Sequence, residues 1–372
     1  MRKHHSSLMA VGAVLMLILV ACTGGGASPS EASEPASEAP ESEAPPESEA
    51  PAVDFQACQV SDTGGIDDKG FNQNAYAGLE MAQDELGVEI NFLESTAATD
   101  YERNITTFID EGCELIITVG FLLGDATAAA AEANPEQLFS IVDFAYDPPY
   151  DNVQGLVFDT KSASMLAGYL AAGMSTTGVV GTFGGIQIAP VVDFMIGFEA
   201  GVNYYNDENG TAVDVIGWDS ATEEGTFTGD FENQDNGRQT AEALIQEGAD
   251  IIFPVAGPVG LGAMAAVQDS GGDAVYIGVD VDQAISVPEY EDIMLSSVLK
   301  RIDNAVFASV EQAMTGAFDA PVYVGTLEND GVGLAPYHAF EDEVPEELTD
   351  GIAALQEALI SGDVVADDWA TP

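Results

Sequence analysis

The chain has 372 residues, 64 of them Asp or Glu and only 8 Lys or Arg, for a formal net charge of −56. So few bases exclude nucleic acid and anionic lipid surfaces as partners, because both are held by clustered Lys and Arg. Three Cys and three His are too few for a four-cysteine or multi-histidine metal site, so no metal and no cofactor is expected.

Residues 1–21 read as an export signal: Arg2 and Lys3 precede an apolar run over residues 8–21, shorter than the roughly 20 residues of a membrane helix. The run ends in Leu19-Val20-Ala21-Cys22, which looks like a lipobox, so Cys22 is expected to be the acylated N-terminus. Residues 22–52 follow as a tether of Ser, Glu, Pro, Ala and Gly, without a large apolar residue and therefore disordered and extended. The implied location is the extracytoplasmic face of the cell membrane, with the lipid as the membrane contact.

From residue 53 onward the chain has the composition of a folded body. The tether accounts for only seven of the acids, so the charge excess belongs to the body, as in a surface adapted to salt. Six bases remain there: Lys69, Arg103, Lys161, Arg238, Lys300 and Arg301. Each is singled out as a place where positive charge is needed.

Strand-like runs at 57–61, 88–93, 115–119 and 138–142 alternate with helical spacing at 72–86, 100–111 and 126–133. A second set begins after Phe158, with helices at 163–174, 192–205, 237–246 and 260–268 and strands at 179–182, 213–218, 250–255 and 275–279. This alternation predicts an α/β protein of two doubly wound parallel-sheet, Rossmann-like lobes. The lobes are expected at 53–158 plus about 284–320, and at 159–283 plus about 321–372. Crossings between them are expected near 156–160, 280–285 and 321–326. In a 2-1-3 strand order Cys58 and Cys113 lie on neighbouring strands, within reach of a disulfide.

Ligands of such sheets bind beyond the carboxyl ends of the strands. The turns there are rich in Gly, Asp and Phe: 61–72 with Asp62, Phe71 and Asn72, then Gly120-Phe121, Val142-Asp143-Phe144, Gly181 to Gly185, Gly229 to Asn233, Pro254 to Pro258, and Gly278 to Asp282. Asp67 and Asp68 also suit a helix N-terminus. The 181–185 turn lacks the lysine and spacing of a phosphate loop, and 230–237 has no EF-hand register. There is no G-x-S-x-G, and His338 is the only histidine beyond the first five residues, so an enzyme is not expected. A nucleoside hydrolase, or a sugar binder of the same fold, stands as the alternative.

The stretches GGIDDKGFNQNAYAG (64–78), GTFGG (181–185), MIGFEAGVNYYN (195–206), GTFTGDFENQDNG (225–237), VAGPVG (255–260) and SSVLKRIDNAV (296–306) are similar to the basic membrane protein family of lipoproteins. Members are substrate-binding proteins of ABC importers with a type I periplasmic-binding-protein fold, among them a purine nucleoside receptor. The resemblance covers about residues 57–362. It implies a nucleoside ligand, permease and ATPase subunits as partners, and a monomer. It places Phe71 and Phe231 on the two faces of the base, Asp62, Asp143 and Asn72 at its edge, Gly257 against it, and Asp280 with Lys300 on the ribose, Asp282 being the less favoured substitute for Asp280. Gly70, where the family often has Ser, and Thr63, where some members have Asn, leave the choice of base open.

Overall fold

The computed structural model describes residues 53–319 and 322–370. The expected signal peptide, Cys22 and the tether lie outside the described residues.

The first lobe is built on β1 (Gln56–Ser61), β2 (Glu89–Leu93), β3 (Leu115–Val119), β4 (Leu138–Val142) and β5 (Val153–Phe158), with helices between them. The second contains β6 (Val179–Gly184), β7 (Asp214–Ile216), β8 (Trp218–Asp219), β9 (Glu224–Gly225), β10 (Ile251–Val255), β11 (Val275–Asp280) and β12 (Met294–Lys300). Two short strands follow, β13 (Tyr323–Gly325) and β14 (Val332–Leu334). The sheets run β13-β5-β4-β3-β1-β2 and β14-β12-β11-β10-β6-β7. All pairings in them are parallel except β14 on β12. β3 is Leu-Ile-Ile-Thr-Val and buried throughout, as a parallel strand covered on both faces must be.

Cys58 and Cys113 form a disulfide with Cα atoms 6.1 Å apart, joining β1 to the start of β3. In the second lobe, helices Thr160–Met174 and Ala189–Asn209 pack backbone to backbone. A Cβ on Gly168 would lie 2.0 Å from the carbonyl oxygen of Phe198, and one on Gly201 2.0 Å from that of Met165. Only glycine permits this approach.

Several segments differ from the sequence expectation. The strand expected over 213–218 stops at Ile216, because Gly217 turns at φ +88° and presses on the Thr182 carbonyl, and Trp218 enters the β8–β9 hairpin instead. β5 was not expected as a strand. Nor was β12, whose Ser296 and Ser297 interrupt an apolar run yet are fully buried, Ser296 donating to the Ala335 carbonyl and Ser297 accepting from the Gln283 amide.

β12 moves the lobe boundaries. It pairs with β11, so residues through Lys300 stay with the second sheet, not with the first lobe as expected from 284 onward. The chain crosses back only with helix Ile302–Met314, whose Ile302, Ala305 and Val306 share a core with Ala75 and Leu79 of the first lobe. β13 then belongs to the first sheet and β14 to the second, so the last crossing lies between Gly325 and Val332. The first crossing, after Phe158, falls within the expected 156–160.

Candidate functional site

A cleft opens at the carboxyl ends of both sheets, and Asp62, Phe71, Asn72, Asp143, Phe231, Gly257, Asp280 and Lys300 all line it.

The first-lobe wall follows from how helix Phe71–Leu86 begins. Asp68 caps it: one carboxylate oxygen accepts from the Gly70 and Gln73 amides at 3.0 and 3.1 Å, the other from the Asn72 amide at 2.8 Å. Asp68 is thus saturated by the helix N-terminus it was expected to start, while exposed Asp67 pairs with Lys69. Capping fixes Phe71 at the first helical position and turns Asn72 inward. The Asn72 side-chain amide donates to Asp62 Oδ1 at 2.7 Å and to Asp68 Oδ2 at 3.2 Å. Its own oxygen is buried without a partner. The Gly64 amide donates to the same Asp62 oxygen at 3.2 Å. Gly120, at φ +116°, lets the chain after β3 pass Asp62 Oδ2, which a Cβ there would approach to 2.7 Å.

In the second lobe Phe231 is half-buried on the loop before helix Gln234–Gln246. Asp230 beside it holds the loop by accepting the Glu232 and Asn233 amides at 2.9 and 2.6 Å. Gly257, just past β10, lies against it at φ +52°.

Asp143 follows β4 and Asp280 ends β11, and these strands hold the same place in the two sheets, β2-β1-β3-β4 and β7-β6-β10-β11. Both residues are left-handed, at φ +66° and +69°, a conformation that costs energy and aims both carboxylates into the cleft. Lys300 lies between them as the last residue of β12 and is 2% exposed. Its Nζ is 2.5 Å from Asp143 Oδ2 and 4.0 Å from Asp280 Oδ1. The short pair therefore joins the lobes through Asp143, and the Asp280 pairing implied by the family resemblance is the longer contact. Nζ also lies 4.8 Å from the Phe71 ring centroid, 5.4 Å from Phe158 and 5.7 Å from Phe194. The Asn74 side-chain amide donates to the Lys300 carbonyl at 2.7 Å, a second bond across the cleft.

One ammonium among four carboxylates leaves negative charge uncompensated. Burial pushes the Asp280 carboxyl up to about 7, against the pull of Lys300 and with repulsion from Asp143, Asp68 and Asp62. Burial likewise raises Asp62 to about 6, opposed by the Asn72 and Gly64 hydrogen bonds. Asp68 is raised for the same reason. Asp282 is engaged elsewhere, its oxygens 2.9 and 2.7 Å from His338 Nε2. Among the described residues no cluster of His, Cys, Asp and Glu is arranged to hold a metal ion.

Phe194, Pro190 and Val191 also line the cavity, from the start of helix Ala189–Asn209. Sequence reasoning did not single them out for this role, since an aromatic at helical spacing reads equally well as core.

Residues 55–362 match the Bmp family model, described as ABC transporter substrate-binding protein PnrA-like. A similar curated protein is the ABC transporter nucleoside-binding protein BmpA of Lactococcus lactis, 28% identical over 84% of this chain and 89% of the relative. A solved ABC transporter solute-binding protein from Aeropyrum pernix is 27% identical, with TM-score 0.76 over 84% of this chain and 92% of that one. At 15% identity an arabinose-binding protein of Geobacillus stearothermophilus shares the type I periplasmic-binding-protein fold, with TM-score 0.57 over 79% of this chain and all of that one. The chain belongs to the Bmp, PnrA-like family of ABC transporter substrate-binding proteins, which carry a solute to a permease and catalyse no reaction.

Proposed function

We propose that the chain captures a nucleoside, with a purine base held between Phe71 and Phe231 and the ribose hydroxyls shared by Asp280 and Lys300. It then delivers the nucleoside to an ABC permease from a lipid anchor at Cys22 on the outer face of the membrane. The observation that carries this reading is the convergence on one cavity of two aromatic rings from opposite lobes and a carboxylate beside an ammonium. A flat ring fills the gap between two Phe faces. Acceptor and donor side by side suit a vicinal diol. Asp62 and the partnerless oxygen of Asn72 supply acceptors for N–H groups at the edge of the base. The short Lys300–Asp143 pair adds a feature to this picture: the cation that meets the ribose also ties the lobes, so ligand contact and closure share one side chain.

A thermal-shift panel of purine and pyrimidine nucleosides, free bases, ribose and arabinose tests the reading. A ligand at about 100 times its Kd adds about 2.7 kcal/mol of stability, so a purine nucleoside should raise Tm clearly and free sugars should not. A shift with sugars alone would assign the cavity to a sugar.

A further inference from the structure

The nucleoside reading leaves a feature of the cavity unused: the wall offers far more hydrogen-bond acceptors than a neutral ligand needs. Asp68 is saturated by the helix it caps. Among the described residues, Asp62 Oδ2, Asp143 Oδ1 and both oxygens of Asp280 accept no hydrogen bond, and Asp280 is only 7% exposed. Against these stands one spare donor group, the Lys300 ammonium. Four phenylalanines, Phe71, Phe121, Phe194 and Phe231, line the same space. Carboxylates around aromatic faces are an environment for a positively charged planar ring, attracted by ring quadrupole and carboxylate alike.

We propose that the cleft is built to take nucleosides whose base carries a positive charge, such as N-alkylated purines, in preference to neutral bases of the same shape. This rests on the nucleoside reading and names the class of nucleoside that the site favours. Lys300 is held on Asp143 and would stay at the sugar side, leaving Asp62 to face the charged base. The carboxyls of Asp62 and Asp280, held up chiefly by burial and further by the charge of their neighbours, point the same way, because a ligand cation would stabilise their ionised forms. Phosphorylated nucleosides are disfavoured by the same field.

The test is calorimetry on the full chain at pH 7.5 with 7-methyladenosine and its neutral isostere 7-deaza-7-methyladenosine, which share the methyl group and differ in charge. The cation should bind about tenfold tighter, and Asp62→Asn should cut that advantage at least threefold while changing the affinity of the neutral isostere less. Where the 7-methyl group is not accommodated, 1-methyladenosine against neutral 1-methylinosine, with the methyl on the opposite edge, decides the matter. Equal or weaker binding of the cation in the deciding pair, or no binding by either pair while adenosine binds, overturns the proposal and leaves the nucleoside reading intact. Adenosine failing to bind, with every other nucleoside silent, overturns the nucleoside reading itself.

Discussion

Lys300 has the most to lose by substitution. Its ammonium is buried between carboxylates of opposite lobes and over three aromatic rings. Lys300→Ala removes a charge-assisted hydrogen bond worth about 1.5–3 kcal/mol, so nucleoside affinity should fall by about one to two decades while affinity for the free base barely changes. Arg301 is the control: it is paired with Asp303 and does not line the cavity, so Arg301→Ala should leave binding intact. Phe71→Ala and Phe231→Ala should each cost roughly 1–3 kcal/mol of binding. Equal losses for Lys300→Ala and Arg301→Ala in calorimetry would show that general charge, not the ribose contact, is at stake.

Asp280 carries an opposite consequence for stability. Its folded pKa of about 7 stands above the ordinary value of 3.8, so folding favours the protonated form. The stability this gives is fully present below pH 3.8 and is lost as pH rises through about 7. At pH 8 the ionised carboxylate destabilises the fold, and Asp280→Asn should therefore stabilise it there by a few kcal/mol, roughly the size of the shift, and raise Tm, while weakening nucleoside binding. Near pH 4 the variant and the parent should melt together. A lower Tm for Asp280→Asn at pH 8 would mean that the Lys300 partnership outweighs burial.

At the scale of elements, the alternation of apolar runs and helical spacing sufficed to read eight strands of the two sheets, β7 with its end misplaced, and the helices between them, because fully buried parallel strands such as β3 leave largely apolar runs. The same logic hid β12, where two buried serines and a terminal lysine imitate an exposed segment. Lys300 stood out only as one of six scarce bases, not as the end of a strand. The turns after the strands marked the cavity wall, since Gly, Asp and Phe stand out there. The way these residues pair did not show: that Lys300 contacts Asp143 more closely than Asp280 depends on the relative placement of two lobes, which no local pattern encodes. Helix glycines test the packing directly. An Ala for Gly in a helix ordinarily gains about 0.5–1 kcal/mol. Gly201→Ala would instead drive a methyl into the Met165 carbonyl and should destabilise by about 1–3 kcal/mol or more in denaturant melts. A stabilised variant would mean that the two helices are free to separate.

For the whole molecule, charge dominates. Each of the six bases of the body is already paired with an acid, so most carboxylates have no basic partner. Screening should then strengthen the fold, because the Debye length falls from about 10 Å at 0.1 M salt to about 3 Å at 1 M. Tm should rise over that range in KCl and change little in sucrose of equal osmolality; a falling Tm would mean that the ion pairs contribute more than the repulsion.

Whether a nucleoside lies between the lobes is tested most directly by a crystal structure of the protein grown with a purine nucleoside. The base should stack between Phe71 and Phe231, with the ribose hydroxyls within hydrogen-bond distance of Asp280 and Lys300. A cavity that stays empty at saturating nucleoside, or a base that lies outside the two rings, would rule out nucleoside capture between Phe71 and Phe231.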